Sequence, residues 1–125
     1  MQVLALDHLV LTVADIEASV SFYERLGMRR EAFGEGRIAF RFGEQKLNLH
    51  RREAEVRPHA TVPAPGSADL CFLVADPIDD ALDTLRREGI AVELGPVTRT
   101  GATSQIVSVY VRDPDGNLVE LSHPT

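Results

Sequence analysis

Cysteine occurs once, at Cys71. No intrachain disulfide can form and no thiolate cluster can hold a metal, which suits a reducing compartment. Basic blocks are also missing. The 13 Lys and Arg never run longer than two in a row, and with 19 acidic residues they leave a net charge of −6. That balance argues against a nucleic-acid partner. No apolar run reaches the roughly 20 residues of a membrane-spanning helix, so no membrane partner is expected. The opening stretch, Met1 to His8, lacks the basic start and cleavage site of an export signal, and a cytoplasmic location is the expectation. What remains is 44% hydrophobic and 26% charged across 125 residues, enough for one domain with a core that needs no staples.

The most informative stretch is the last, Arg112-Asp113-Pro114-Asp115-Gly116-Asn117-Leu118-Val119-Glu120-Leu121. Pro presets one backbone dihedral, and Gly and Asn tolerate positive φ, so Asp113 to Asn117 reads as a tight turn followed by a strand. Alternation puts Leu118 and Glu120 on one face of that strand, Val119 and Leu121 on the other. An ionised carboxylate in apolar surroundings is costly unless a cation or donor meets it. Glu120 has no basic neighbour in sequence, and the candidate partner lies at the other end of the chain, His8.

Taken in order, Leu6 to Val13 reads as a strand with Leu6, His8, Val10 and Thr12 on one face. Asp15 reads as a helix N-cap, Ile16, Val20 and Tyr23 give the helical stripe, and Gly27 stands where a left-handed residue would end it. Short strands follow at Arg30 to Phe33 and Arg37 to Phe42, then one at Lys46 to His50 that puts Lys46, Asn48 and His50 on one face. From Arg51 to Gly66 the pattern stops, and its prolines mark a linker between module one (about 1–50) and module two (67–125). The plan then restarts. Ala68 to Val74 is a strand, Asp76 a cap with Pro77 at the first helical position, and Ile78, Leu82 and Leu85 the apolar stripe before Gly89. A strand near Ala91 to Leu94, a loop holding Thr98-Arg99-Thr100-Gly101, a strand from Gln105 to Arg112 and the closing turn and strand complete it.

Val13-Ala14-Asp15 and Val74-Ala75-Asp76 are identical triplets, 61 positions apart (13 to 74). The same offset carries His8 onto Asp69, and hairpin slack pairs Asn48 with Glu120. Two β-α-β-β-β modules emerge, each giving one polar residue from its first strand and one from its last. If first and last strands are neighbours and the modules face one another, His8, Asp69, Asn48 and Glu120 converge. Imidazole with carboxylates suits a divalent first-row ion, the oxygen-rich set favouring Mn²⁺ or Fe²⁺ over Zn²⁺.

This repeat, with Leu6-Asp7-His8-Leu9-Val10-Leu11-Thr12-Val13, Phe22-Tyr23 before Leu26-Gly27, and Asp113 to Leu121, resembles the glyoxalase/bleomycin-resistance/extradiol-dioxygenase superfamily, the vicinal oxygen chelate proteins. Lys46 to His50, Pro65 to Leu70 and Gly95 to Ala102 are most similar to its small glyoxalase-domain proteins, including lactoylglutathione lyase-like and virulence proteins. The resemblance implies an α+β fold, two βαβββ modules forming a cup-shaped mixed sheet. It also implies a divalent metal (Mn, Fe, Ni or Zn) held by His8 and Glu120, with Asp69 the third expected ligand. Glyoxalase I enzymes carry a carboxylate at the Asn48 position and His or Glu at the Asp69 position. Asn48 cannot be the base, so Asp69 or Glu120 is expected to move the proton beside the carbonyl. The expected function is a metal-dependent lyase or isomerase, or a dioxygenase, acting on a small substrate chelated through adjacent oxygens. The alternative is a metal-free protein that sequesters a ligand, as bleomycin-resistance proteins do.

Asn48, His50 and Arg99 are the candidate substrate contacts. His50 shares Asn48's face roughly 7 Å further along the strand. Arg99 has the fork to clamp a carboxylate or phosphate, the competing reading being a solvated loop arginine. Arg112 is expected to pair with Asp113 or Asp115, and Cys71, Phe22 and Tyr23 to pack in the core. His59 and His123 carry no expected role. Resembling proteins commonly dimerise, so a homodimer is expected.

Overall fold

In the computed structural model, which describes residues 1–125, the first strand is β1 (His8–Val13), two residues shorter than the apolar run that marks it. Its partner strand explains the trimming. The ladder opens with His8 opposite Lys46, and just before it the Gln45 side chain, not a backbone amide, donates to the Leu6 carbonyl at 2.8 Å. Asp15 then takes extended φ and ψ and its Oδ1 accepts from the Ala18 amide at 3.1 Å, starting α1 (Ile16–Arg25) as a side-chain cap should. Gly27, at φ +95°, ends it.

Strands β2 (Arg29–Phe33), β3 (Arg37–Phe42) and β4 (Gln45–Arg51) complete a four-stranded sheet in the order β1-β4-β3-β2, with β1 parallel to β4 and the rest antiparallel. Helix α1 covers one face, its buried Val20, Phe22 and Tyr23 joining Leu11, Val13, Phe40, Leu47 and Leu49, with the Tyr23 and Phe40 rings 5.2 Å apart. The other face presents His8, Val10, Thr12, Lys46, Asn48 and His50. These residues form one compact unit, Met1–Gly66.

The second unit, Ser67–Thr125, repeats the plan. It contains β5 (Asp69–Leu73), α2 (Ile78–Arg87), β6 (Leu94–Thr100), β7 (Gln105–Arg112) and β8 (Leu118–Pro124), in the sheet order β5-β8-β7-β6. First and last strands are neighbours in each sheet, as the repeat requires. Asn48 pairs with Val10 and Glu120 with Cys71, so the two are equivalent, and His8 and Asp69 lie two residues before those partners.

Three local readings are corrected. Asp76 does not cap α2; Pro77 occupies the N-cap position at φ −53°, ψ 150° with no side-chain bond. The strand expected near Ala91 to Leu94 begins only at Leu94 and continues through Thr98, Arg99 and Thr100, so Arg99 is a strand residue. The Gly95-Pro96 pair reads as a loop because Pro cannot donate to a ladder, but it forms an irregularity after which pairing with β7 resumes. Arg112 pairs not with Asp113 or Asp115 but with Glu93, through Nε and Nη2 at 3.1 and 3.0 Å.

The closing turn is built inward. Asp113 Oδ1 accepts from the amides of Asp115 and Asn117, both at 2.9 Å, while Asn117 Nδ2 donates to Asp113 Oδ2 at 2.7 Å. Asn117 Oδ1 accepts from the Ala68 amide at 2.8 Å, tying the turn to the start of β5. That tie sets the register that places Cys71 opposite Glu120.

Candidate functional site

Glu120 stands on the face of the second sheet that α2 does not cover, between Cys71 on β5 and Tyr110 on β7. It is half-buried and lines a cavity of about 530 Å³ together with Cys71, Arg99, Tyr110 and the Gly101 to Ser104 loop. Its polar contacts are weak, the Cys71 thiol opposite it and Ser122 Oγ at 3.5 Å, and no lysine or arginine is ion-paired with it. Arg99 shares the cavity but donates its Nε to the Tyr110 hydroxyl at 3.0 Å. Glu120 thus keeps its acceptor capacity for a ligand.

Cys71 is exposed on this face rather than packed in the core, its Sγ 3.3 Å from Ser122 Oγ. Partial burial pushes its thiol up, and the charge and hydrogen bond of Glu120 and the Asp69 charge add to that against the Ser122 hydrogen bond, so the thiolate is disfavoured. Asp69, two residues earlier on the same face, is exposed and lies opposite Leu118, diagonal to Glu120. His123, given no role by sequence, has its Nδ1 3.1 Å from the Val74 carbonyl and anchors the end of β8.

In the first unit, His8 is exposed and its Nδ1 lies 2.8 Å from the Asp7 carboxylate. A carboxylate on Nδ1 orients the ring and turns Nε2 away from it, the arrangement of metal-bound histidines. Asn48 and His50 are brought together in the interior of their face, 4% and 6% exposed, and Asn48 Oδ1 and His50 Nδ1 find no hydrogen-bond partner. His50 also lines a cavity of about 370 Å³ with Val10, Thr12, Pro58 and His59, so the linker that sequence leaves without a role walls one end of this face. No three His, Cys, Asp or Glu side chains of the chain are grouped to hold an ion; His8 belongs to the first unit, Asp69 and Glu120 to the second.

Burial, reinforced by the Arg37 charge and opposed by Glu55, holds the His50 imidazole below its ordinary value. An unfolded imidazole takes its proton near pH 6.5 and this one only lower, so its contribution to stability is complete above about 6.5 and is lost as pH falls through the folded value. The melting temperature is expected to drop more steeply than that of His50→Gln as pH falls below about 6.5. Parallel profiles would refute this.

Residues 5–121 match the sequence model of the Glyoxalase/Bleomycin resistance protein/Dioxygenase superfamily. The chain belongs to this superfamily. Glyoxalase domain-containing protein RDO1 of Mycosarcoma maydis is 54% identical over 98% of this chain and 69% of its own. The crystal structure of virulence protein STM3117 from Salmonella typhimurium superposes with a TM-score of 0.98 at 50% identity, covering 100% of both chains. That of a lactoylglutathione lyase from Agrobacterium tumefaciens gives a TM-score of 0.72 at 27% identity, covering 95% of this chain and 92% of that one. Superfamily membership accounts for the two four-stranded sheets with one helix each. Sequence singled out neither Tyr110, which holds Arg99, nor Arg37, whose Nη2 lies 3.5 Å from His50 Nε2. Period-two alternation from Arg37 to Phe42 was the available signal for Arg37, because it sets Arg37 on one face with Ala39 and Arg41.

Proposed function

We propose that this superfamily member is a divalent-metal-dependent lyase or isomerase acting on a small molecule that offers adjacent oxygens, with dioxygenase chemistry the next choice. The observation that carries the reading is Glu120, a half-buried carboxylate with no cationic partner on the wall of a cavity of about 530 Å³. The assigned ligands are His8, Asp69 and Glu120. His8 fits because Asp7 frees its Nε2, and Glu120 fits because no lysine or arginine holds it. An ion of Mn, Fe, Ni or Zn held there would supply polarisation of a substrate oxygen. Asp69 or Glu120 would be the base for the proton on the carbon beside that oxygen, since Asn48 has no basic atom to do so. Arg99, held by Tyr110, orients the substrate from the cavity wall, and Asn48 and His50 contact it. The similarity to a lactoylglutathione lyase supports placing lyase chemistry first. A homodimer in the cytoplasm completes the proposal.

The second reading, metal-free sequestration of a ligand, is favoured by the apolar part of the same cavity wall, Leu73, Ile106, Tyr110 and Pro124. Metal content after purification without chelators separates the two. We expect a stoichiometric divalent ion whose addition to stripped protein stabilises it by about 2.7 kcal/mol at a hundred times its dissociation constant. His8→Ala and Glu120→Ala are each expected to abolish both effects. A metal-free protein whose melting temperature ignores Mn, Fe, Ni and Zn would overturn the metal-dependent reading in favour of sequestration.

A further inference from the structure

The open face of the first sheet carries a charge opposite to that of the chain. Register places His8, Lys46, Arg41 and Arg29 in one row across the strands, and Val10, Asn48, Ala39 and Glu31 in the next. Thr12 pairs with His50, and Phe33 with Arg37, on the same face. Four cations, Arg29, Arg37, Arg41 and Lys46, therefore share a face with one carboxylate, Glu31, on a protein whose net charge is −6. Glu31 is already committed to Arg41, at 3.0 and 3.1 Å. Arg37 and Lys46 are in no ion pair, although the Asp7 charge acts on Lys46 and the Glu55 charge on His50; both cations sit against the Phe33 ring, 4.6 and 4.0 Å from its centroid. A ring quadrupole attracts a cation without neutralising it.

Beneath these cations lie polar groups with nothing to bond. Arg37 Nε, His50 Nδ1 and Asn48 Oδ1 are buried and without partners. Arg37 Nη2 is 3.5 Å from His50 Nε2, and since a guanidinium only donates, Nε2 accepts and the imidazole proton sits on Nδ1. The face therefore holds two unsatisfied N–H donors, one of them on a cation, beside one unsatisfied amide oxygen. Unsatisfied buried groups are costly and rare, and a charged acceptor is the partner that donors of this kind bind best.

We propose that Arg37, His50 and Lys46 form an oxyanion-binding set for a carboxylate or phosphate of the substrate, with Asn48 Oδ1 accepting from a neighbouring substrate hydroxyl. The substrate class is then a small hydroxylated acid or phosphate ester. This deepens the small-molecule reading above and rests on it.

The test is a side-chain ¹H–¹⁵N NMR titration of the chelator-treated 125-residue chain with sodium acetate, inorganic phosphate and uncharged acetamide, at ionic strength matched with sodium chloride. The Arg37 Nε–H and His50 Nδ1–H resonances are expected to shift saturably with an anion and not with acetamide. Arg37→Gln is expected to raise the dissociation constant about tenfold and Lys46→Gln about threefold, electrostatic losses of ordinary size. Arg37→Lys, which keeps the charge but not the fork, should fall between wild type and Arg37→Gln. Response to phosphate alone supports the set with a phosphoryl group as its ligand, response to acetate alone supports it with a carboxylate, and response to both supports it with either. No saturable shift with either anion, or an equal response to acetamide, overturns the proposal; so does unchanged affinity in a folded Arg37→Gln. Because the metal has been removed, failure here leaves the metal-content result standing, and a metal-free protein leaves this titration interpretable.

Discussion

Gly95→Ala is expected to lower the melting temperature by about 15 °C, roughly 3–5 kcal/mol for a chain of this size. Two costs combine at that position. Gly95 holds φ +113°, which an L side chain adopts only under strain, and an added Cβ would stand 2.5 Å from the Ser108 carbonyl oxygen and 3.0 Å from Val109 Cα. Those are backbone atoms of β7, the central partner of β6, and they cannot swing aside as a side-chain tip would. Relief requires β6 to move, and β6 carries Arg99 and part of the Glu120 cavity wall. Gly36→Ala is the control, with φ +74° but no heavy atom within 4 Å of the new Cβ, so it should show only the backbone cost, about 1 kcal/mol. Thermal denaturation of both variants checks the contrast; equal losses would mean that the contact with β7 is not the cause.

Asn117→Ala is the second large effect, about 2–3 kcal/mol and on the order of 10 °C in melting temperature. Asn117 is 0% exposed and its amide does two things at once, accepting from the Ala68 N–H and donating to Asp113 Oδ2. Truncation strips a part-buried backbone donor and a buried carboxylate of these partners, and a lost partner costs more than the hydrogen bond contributed. Asn117→Asp keeps the acceptor but sets a carboxylate against Asp113, so it should not rescue. The damage reaches the site because the turn fixes the strand register that sets Glu120 beside Cys71. Calorimetry on the three proteins tests the point, and a loss below about 2 °C in Asn117→Ala would refute it.

The turn that carries this effect was also the most legible part of the sequence, because Pro, Gly and Asn there leave the backbone few options. The same holds for Asp15 before Ile16, and for β3, which lies between Gly36 and Gly43. Legibility ends where a residue's fate depends on partners distant in sequence. Arg112 meets Glu93, 19 residues away, rather than the acids beside it. Period-two alternation shows that Cys71 shares a face with Asp69 and Leu73, but the helix decides which face is covered, and α2 takes the other. Alternation did place Asn48, His50 and Glu120 on their faces. It gave no reason to single out Arg37 or Lys46, because a charged strand residue ordinarily points to water, and only the shared Phe33 ring and the unsatisfied atoms below set these two apart.

The parallel pairing of the first strand of each unit with its last has a kinetic consequence. Within each sheet the three later strands join through short reversals, so their contacts close small loops, whereas β1 and β5 meet β4 and β8 only across the length of their unit. Closing the longer loop costs more chain entropy. Chain entropy therefore favours late docking of β1 and β5, which would leave one ladder edge, that of β4 or β8, open until they arrive.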